Sequence, residues 1–107
     1  MKEYVELKSV VKFMAEQSAE VKAEYGIIVQ MLKEQGRLVM PFGEKVNKVL
    51  FAIRVINAGN VRVFYVYGKN NFVFALSGYV KTTEQIPQHQ LEKAMAIYRQ
   101  LRMRKLV

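Results

Sequence analysis

The chain has 107 residues, 51% of them hydrophobic, which is enough for one modest core and too little for two. Seventeen Lys and Arg against nine Asp and Glu give a formal net charge of +8, a balance that favours a polyanion or an acidic partner but that solubility alone could also explain. The absence of cysteine and the single histidine exclude disulfides, thiolate chemistry and the usual zinc and iron sites, so neither cofactor nor metal is expected.

The opening Met1-Lys2-Glu3-Tyr4-Val5-Glu6 is charged where a signal peptide needs an apolar run. No apolar stretch approaches the ~20 residues of a bilayer span, so no membrane partner and a cytoplasmic location are expected. Leu7, Val10, Val11 and Met14 recur at helical spacing, as do Val21, Tyr25, Ile28 and Leu32. Ser18 between the stripes is a candidate N-cap, Glu20 suits the first turn, and Gly36 suits a left-handed C-cap. The two read as a helical hairpin, with Lys8, Lys12, Glu16, Glu20 and Glu24 on its solvated faces.

Pro41 and Gly43 break the pattern and predict a loop from Arg37 to Lys48 that carries Arg37, Lys45 and Lys48. Three strands follow, over 49–56, 61–67 and 72–79, rich in β-branched and aromatic residues and separated by Asn-Ala-Gly-Asn and Gly-Lys-Asn-Asn turns. Alternation puts Phe51, Ile53, Val55, Val63, Tyr65, Phe74 and Leu76 on a face that packs on the helices. It puts Arg54, Arg62, Phe64, Ala75, Ser77 and Tyr79 on a more polar one. A loop over 81–87 leads to a last helix with Leu91, Ala94, Met95, Tyr98 and Leu101 as its stripe and a basic end from Arg99 through Arg102 to Lys105. A single α+β domain is expected, with an antiparallel sheet of three or four strands, the helical hairpin on one face, and a C-terminal helix.

If the Asn57-Ala58-Gly59 turn closes symmetrically, Arg54 lies opposite Arg62. If Lys69 and Asn70 centre the next turn, Arg62 lies opposite Ser77. Two adjacent guanidinium groups repel unless an anion sits between them, so the row Arg54, Arg62, Ser77 is a candidate phosphate site. The competing reading is a pair of surface arginines bonded to carboxylates such as Glu44 or Glu84.

The ordered set Phe51-Ala-Ile-Arg54, Gly59-Asn-Val-Arg62-Val-Phe-Tyr65 and Leu76-Ser-Gly-Tyr79-Val-Lys81-Thr-Thr-Glu-Gln-Ile-Pro87, continued by Leu91-Glu-Lys-Ala94, resembles the RelE superfamily, in particular its HigB-like, phage-derived branch. That resemblance implies a toxin of a toxin–antitoxin pair, an endoribonuclease that cuts mRNA on the ribosome. Its partners would be mRNA, the ribosome and a cognate antitoxin, which a neighbouring helix-turn-helix protein would fit. Oligomeric state is left open by exposed sheet edges. The resemblance places Arg54 and Arg62 at the family's sheet arginines and Lys81 at the start of its lysine pair. The chain departs from the pattern at Ser77, where the branch usually has histidine, at Thr82 for the second lysine and at Ala52 for a glutamate. Residues 1 to 6 are too short and too charged to read as the family's first strand.

Cleavage of this kind uses the 2′-hydroxyl as nucleophile and needs a proton acceptor, a proton donor to the 5′-oxygen and positive charge on the phosphate. Arg62 supplies the charge in this reading, Lys81 is the proton-transfer candidate by position, and Tyr79 stacks on a base or donates a proton. Arg54, Lys45, Lys48, Ser77 and Arg102 are the substrate-binding candidates. The competing class is a non-catalytic nucleic-acid-binding or regulatory relative that keeps the cationic sheet.

Overall fold

A computed structural model describes residues 1–107. In chain order the elements are β1 (Glu3–Glu6), α1 (Lys8–Ala15), α2 (Ala19–Gln35), β2 (Gly43–Lys45), β3 (Phe51–Val55), β4 (Val61–Tyr67), β5 (Phe72–Val80) and α3 (Gln88–Met103). The strands form one five-stranded sheet in the order β1-β5-β4-β3-β2. β1 runs parallel to β5, and the other pairs are antiparallel. The α+β class is the one expected, with five strands in place of three or four. No helix is long and apolar enough to cross a membrane.

The hairpin helices end where local chemistry dictates. Ser18 Oγ accepts the Val21 N–H at 3.1 Å, and Gly36 closes α2 in the left-handed region at φ 80. Val10 and Met14 of α1 and Val21, Tyr25, Ile28 and Leu32 of α2 bury against Ile53, Val55, Val63, Tyr65, Val73 and Ala75. The opposite face carries a second core, in which Leu50, Ala52, Phe64, Val66, Phe74, Leu76 and Tyr79 lie beneath Ala94 and Leu101 of α3. That face is therefore polar only at one end, and α3 covers the rest.

Phe74 and Leu76 thus face α3, and Ala75 faces the hairpin, the reverse of the expected assignment. The turn after β4 is wider than the sequence suggests: Asn70 and Asn71 both adopt left-handed backbone, and Tyr67 pairs with Val73. The register then slips between Tyr65, opposite Ala75, and Phe64, opposite Ser77, which leaves Leu76 as the extra residue of a β-bulge. Simple alternation carries no sign of either event.

Residues 3–6 do form a strand, contrary to expectation. β1 pairs from Glu3 opposite Phe72 to Glu6 opposite Ala75. Side chains tie it down: Tyr25 Oη donates to Glu6 Oε2 at 2.6 Å, and the Tyr4 and Tyr25 hydroxyls lie 2.6 Å apart. Burial pushes both phenols up, so they stay protonated and able to donate. β2 lies within the segment expected to be loop, with Glu44 opposite Ala52 and Lys45 opposite Phe51.

Candidate functional site

β3 and β4 bring Arg54 directly opposite Arg62, as the symmetric turn requires. The turn is held from outside the sheet. The Glu24 carboxylate of α2 accepts backbone N–H groups of Ile56 at 3.1 Å, Asn57 at 3.2 Å and Ala58 at 2.7 Å. Burial alone would raise the Glu24 pKa, but these donors outweigh it and hold the carboxyl below its ordinary range. Glu24 is therefore a clamp on the hairpin that presents both arginines, where the sequence suggested only a solvated charge.

The bulge sets the third member of the row. Arg62 faces Tyr79, and Ser77 faces Phe64, so the row runs Arg54, Arg62, Tyr79 with Ser77 two residues down β5. Arg62, Ser77 and Tyr79 are buried, with relative exposures of 3%, 1% and 4%. The Tyr79 ring stacks on Phe64 with centroids 5.5 Å apart, so it is packed into the sheet instead of offered as an open platform.

The arginines are only partly satisfied. Arg54 Nη1 donates to Pro41 O at 3.1 Å, and Arg62 Nη1 donates to Val61 O at 3.2 Å. Glu44 of β2 approaches Arg62, with Oε1 3.9 Å from Nε, the one ion pair in the molecule. Burial, then the neighbouring Arg54, push the Arg62 pKa down, against the pull of Glu44 and Tyr79. Burial pushes the Tyr79 phenol up, with Arg62 opposing. Arg54 has no carboxylate partner, so the counter-ion reading holds for Arg62 with Glu44 and fails for Arg54 and for Glu84.

Four buried side-chain polar atoms in the molecule lack a hydrogen-bond partner: Arg54 Nε, Arg62 Nε, Ser77 Oγ and Tyr79 Oη. Each such atom costs about 1–3 kcal/mol of desolvation when left unmet. All of them come from the row and its neighbour Ser77, so the unmet polar atoms of the molecule are gathered at one end of the sheet.

The remaining candidates divide. Lys81 is pinned just beyond the row, its N–H donating to Asn60 O at 2.7 Å and its O accepting Asn60 Nδ2 at 2.9 Å. Lys45 turns toward the hairpin side, its Nζ 6.0 Å from the Phe51 ring centroid. Lys48 lines a cavity at the other end of the sheet, and Arg102 is exposed near the end of α3. The structure does not bring Lys45, Lys48 or Arg102 to the row, because β3 separates Phe51 from Arg54 and α3 runs away from it. Glu44 is the functional candidate that sequence reasoning took only as a counter-ion. A three-residue strand leaves no alternation by which its face could be read.

The family described as Phage derived protein Gp49-like (DUF891) matches residues 12–99. The chain belongs to the Gp49-like family. That family is phage-derived and toxin-like in general character, which agrees with the resemblance drawn from Arg54, Arg62 and the Ser77-Gly78-Tyr79 stretch. All of the row, together with Glu24, Glu44 and Lys81, lies inside the matched residues of this Gp49-like chain. No curated protein matches the chain.

Proposed function

We propose that this Gp49-like protein is a HigB-like toxin of the RelE type, a ribosome-dependent endoribonuclease that acts in the cytoplasm and is neutralised by a cognate antitoxin. The observation that carries the reading is the set of unpartnered polar atoms on Arg54, Arg62, Ser77 and Tyr79, convergent on one end of a cationic sheet. An RNA phosphate at the half-buried Arg54 cancels the repulsion between the guanidinium groups, and it meets the buried atoms of Arg62, Ser77 and Tyr79 once those side chains turn outward.

In this mechanism Arg62 and Arg54 hold the non-bridging phosphate oxygens. Arginine stays protonated and cannot be the base, so Glu44, beside Arg62, takes the 2′-hydroxyl proton. The 2′-oxygen bonds to phosphorus and the bond to the 5′-oxygen breaks. Lys81 or Tyr79 protonates that oxygen, leaving a 2′,3′-cyclic phosphate and a 5′-hydroxyl. Glu44 and Lys81 together replace the histidine that Ser77 displaces.

A second reading, a non-catalytic RNA-binding relative, draws on one observation: Tyr79 is 4% exposed and stacked on Phe64, a poor position for a proton donor. The deciding experiment is a programmed-ribosome cleavage reaction with naked mRNA and Arg62→Ala as controls. Cuts that require both ribosome and Arg62 support the toxin. RNA binding without cuts supports the relative.

A further inference from the structure

The end of the sheet remote from the arginine row forms a second concave site. A cavity of about 320 Å³ is lined by Lys48, Val49, Phe51, Tyr67, Tyr98 and Val107. Three of these are aromatic and come from three elements: Phe51 begins β3, Tyr67 ends β4 and Tyr98 lies on α3. Tyr67 lies five residue steps along β4 from Arg62, roughly 17 Å at the rise of a strand.

The rings are braced yet not enclosed. Phe51 stacks on Tyr65 with centroids 5.6 Å apart and meets Tyr67 edge to face at 5.1 Å. Phe51, Tyr67 and Tyr98 nevertheless remain only half-buried, unlike Phe64 and Tyr65 in the cores. Positive charge surrounds them. Lys48 is part of the lining, Lys45 Nζ stands 6.0 Å from the Phe51 centroid, and Lys2 Nζ stands 5.4 Å from the Tyr67 centroid. Burial pushes the Tyr67 phenol up, with the Tyr65 hydroxyl and the Arg37 charge opposing. None of these cations has a carboxylate within ion-pair distance, because the only ion pair in the molecule is Arg62 with Glu44.

An apolar pocket of rings inside a ring of unpaired cations matches one polymer in particular. Single-stranded RNA offers an unstacked base for the pocket and phosphates on either side for the lysines. A duplex keeps its bases stacked and has nothing to insert. An acidic peptide would satisfy the lysines but leave the aromatic cavity without a planar occupant.

We infer that this pocket is a second RNA contact, in which one unstacked base seats between Phe51, Tyr67 and Tyr98 while Lys48 and Lys45 hold the flanking phosphates. The inference rests on the reading of RNA as substrate. It assigns to Lys45 and Lys48 an RNA-binding role separate from the row.

The test measures binding of a 20-nucleotide single-stranded RNA and of the matching duplex to the parent, to Tyr98→Leu, to Lys48→Ala and to Arg62→Ala. Tyr98→Leu keeps an apolar side chain on α3 packed against the core beneath it and removes the ring. Loss of one stacked base predicts single-strand affinity about 5- to 100-fold weaker in Tyr98→Leu, with duplex affinity unchanged. Lys48→Ala should weaken binding and reduce its salt slope by about one. Cross-linking of 5-iodouridine RNA to the parent, mapped by mass spectrometry, needs no variant and should mark Phe51, Tyr67 or Tyr98. Cross-links confined to the row, or unchanged binding in Tyr98→Leu, would overturn the pocket while leaving the function above intact. Pocket cross-links in a protein that cuts no RNA on the ribosome would leave the pocket standing and overturn the nuclease. A parent that binds no single-stranded RNA overturns the pocket outright.

Discussion

Arg62 and Tyr79 face each other across β4 and β5, and neither the Nε of the first nor the hydroxyl of the second has a hydrogen-bond partner. Each is buried where an unmet polar atom is costly, and Arg54 stands on the other side of Arg62 with its own Nε unmet. An anion that accepts from these groups relieves desolvation and charge repulsion together.

Inorganic phosphate should therefore stabilise the protein through this row. At ten times its dissociation constant the gain is about 1.4 kcal/mol, or roughly 5–10 °C in Tm for a chain of this size. Arg62→Ala should lose most of that shift in a thermal melt. An equal phosphate shift in parent and variant would place the anion elsewhere.

Glu44→Gln separates the two roles open to that carboxylate. As the base it should slow ribosomal cleavage about 10²- to 10⁴-fold with RNA affinity unchanged or slightly higher. As a mere counter-ion of Arg62, its loss should leave the single-turnover rate within a few-fold of the parent.

Glu24→Gln should loosen the hairpin that holds Arg54 and Arg62. Charged acceptors of backbone N–H groups contribute about 1–3 kcal/mol, and partial exposure puts this one toward the low end. Folding lowers the Glu24 pKa from 4.5, so the carboxylate's contribution is full above that value and is lost as pH falls through the depressed one. A melting curve followed from pH 6 downward should show the parent losing its advantage over Glu24→Gln only in the acid range. A gap between the two proteins that does not change with pH would rule out the clamp.

Gly78 sits between Ser77 and Tyr79, and a Cβ there would come 2.5 Å from Cδ2 of the Phe13 ring on α1. Gly78→Ala must displace that ring or the strand, at about 1–3 kcal/mol of stability. Because the strand carries Tyr79 and Ser77, phosphate affinity should fall along with the melting temperature. Shortening Phe13 to leucine in the same protein should recover part of both. Stability that fails to recover would place the strain elsewhere.

Much of the frame was legible in the residues themselves. Ser18 and Gly36 bound α2 because capping and left-handed backbone are local events. The Arg54–Arg62 pairing followed from a short turn flanked by clear alternation. Glu3–Glu6 and Gly43–Lys45 were illegible as strands because each is only a few residues long and lies at a sheet edge. Such strands exist through their partners, β5 and β3, and through contacts such as Tyr25 with Glu6.

The sequence by itself determined the class, the helical hairpin, the three long strands and the placing of two arginines side by side. Those depend on periodicity, capping and turn chemistry, which act over a few neighbouring residues. Only the tertiary structure decided that Tyr79 and not Ser77 completes the row, that Glu24 clamps its hairpin, that Glu44 stands at its edge, and that Lys45 and Lys48 lie elsewhere. A one-residue bulge and a three-residue edge strand decided these positions, and both are set by pairing between distant segments that no local pattern records.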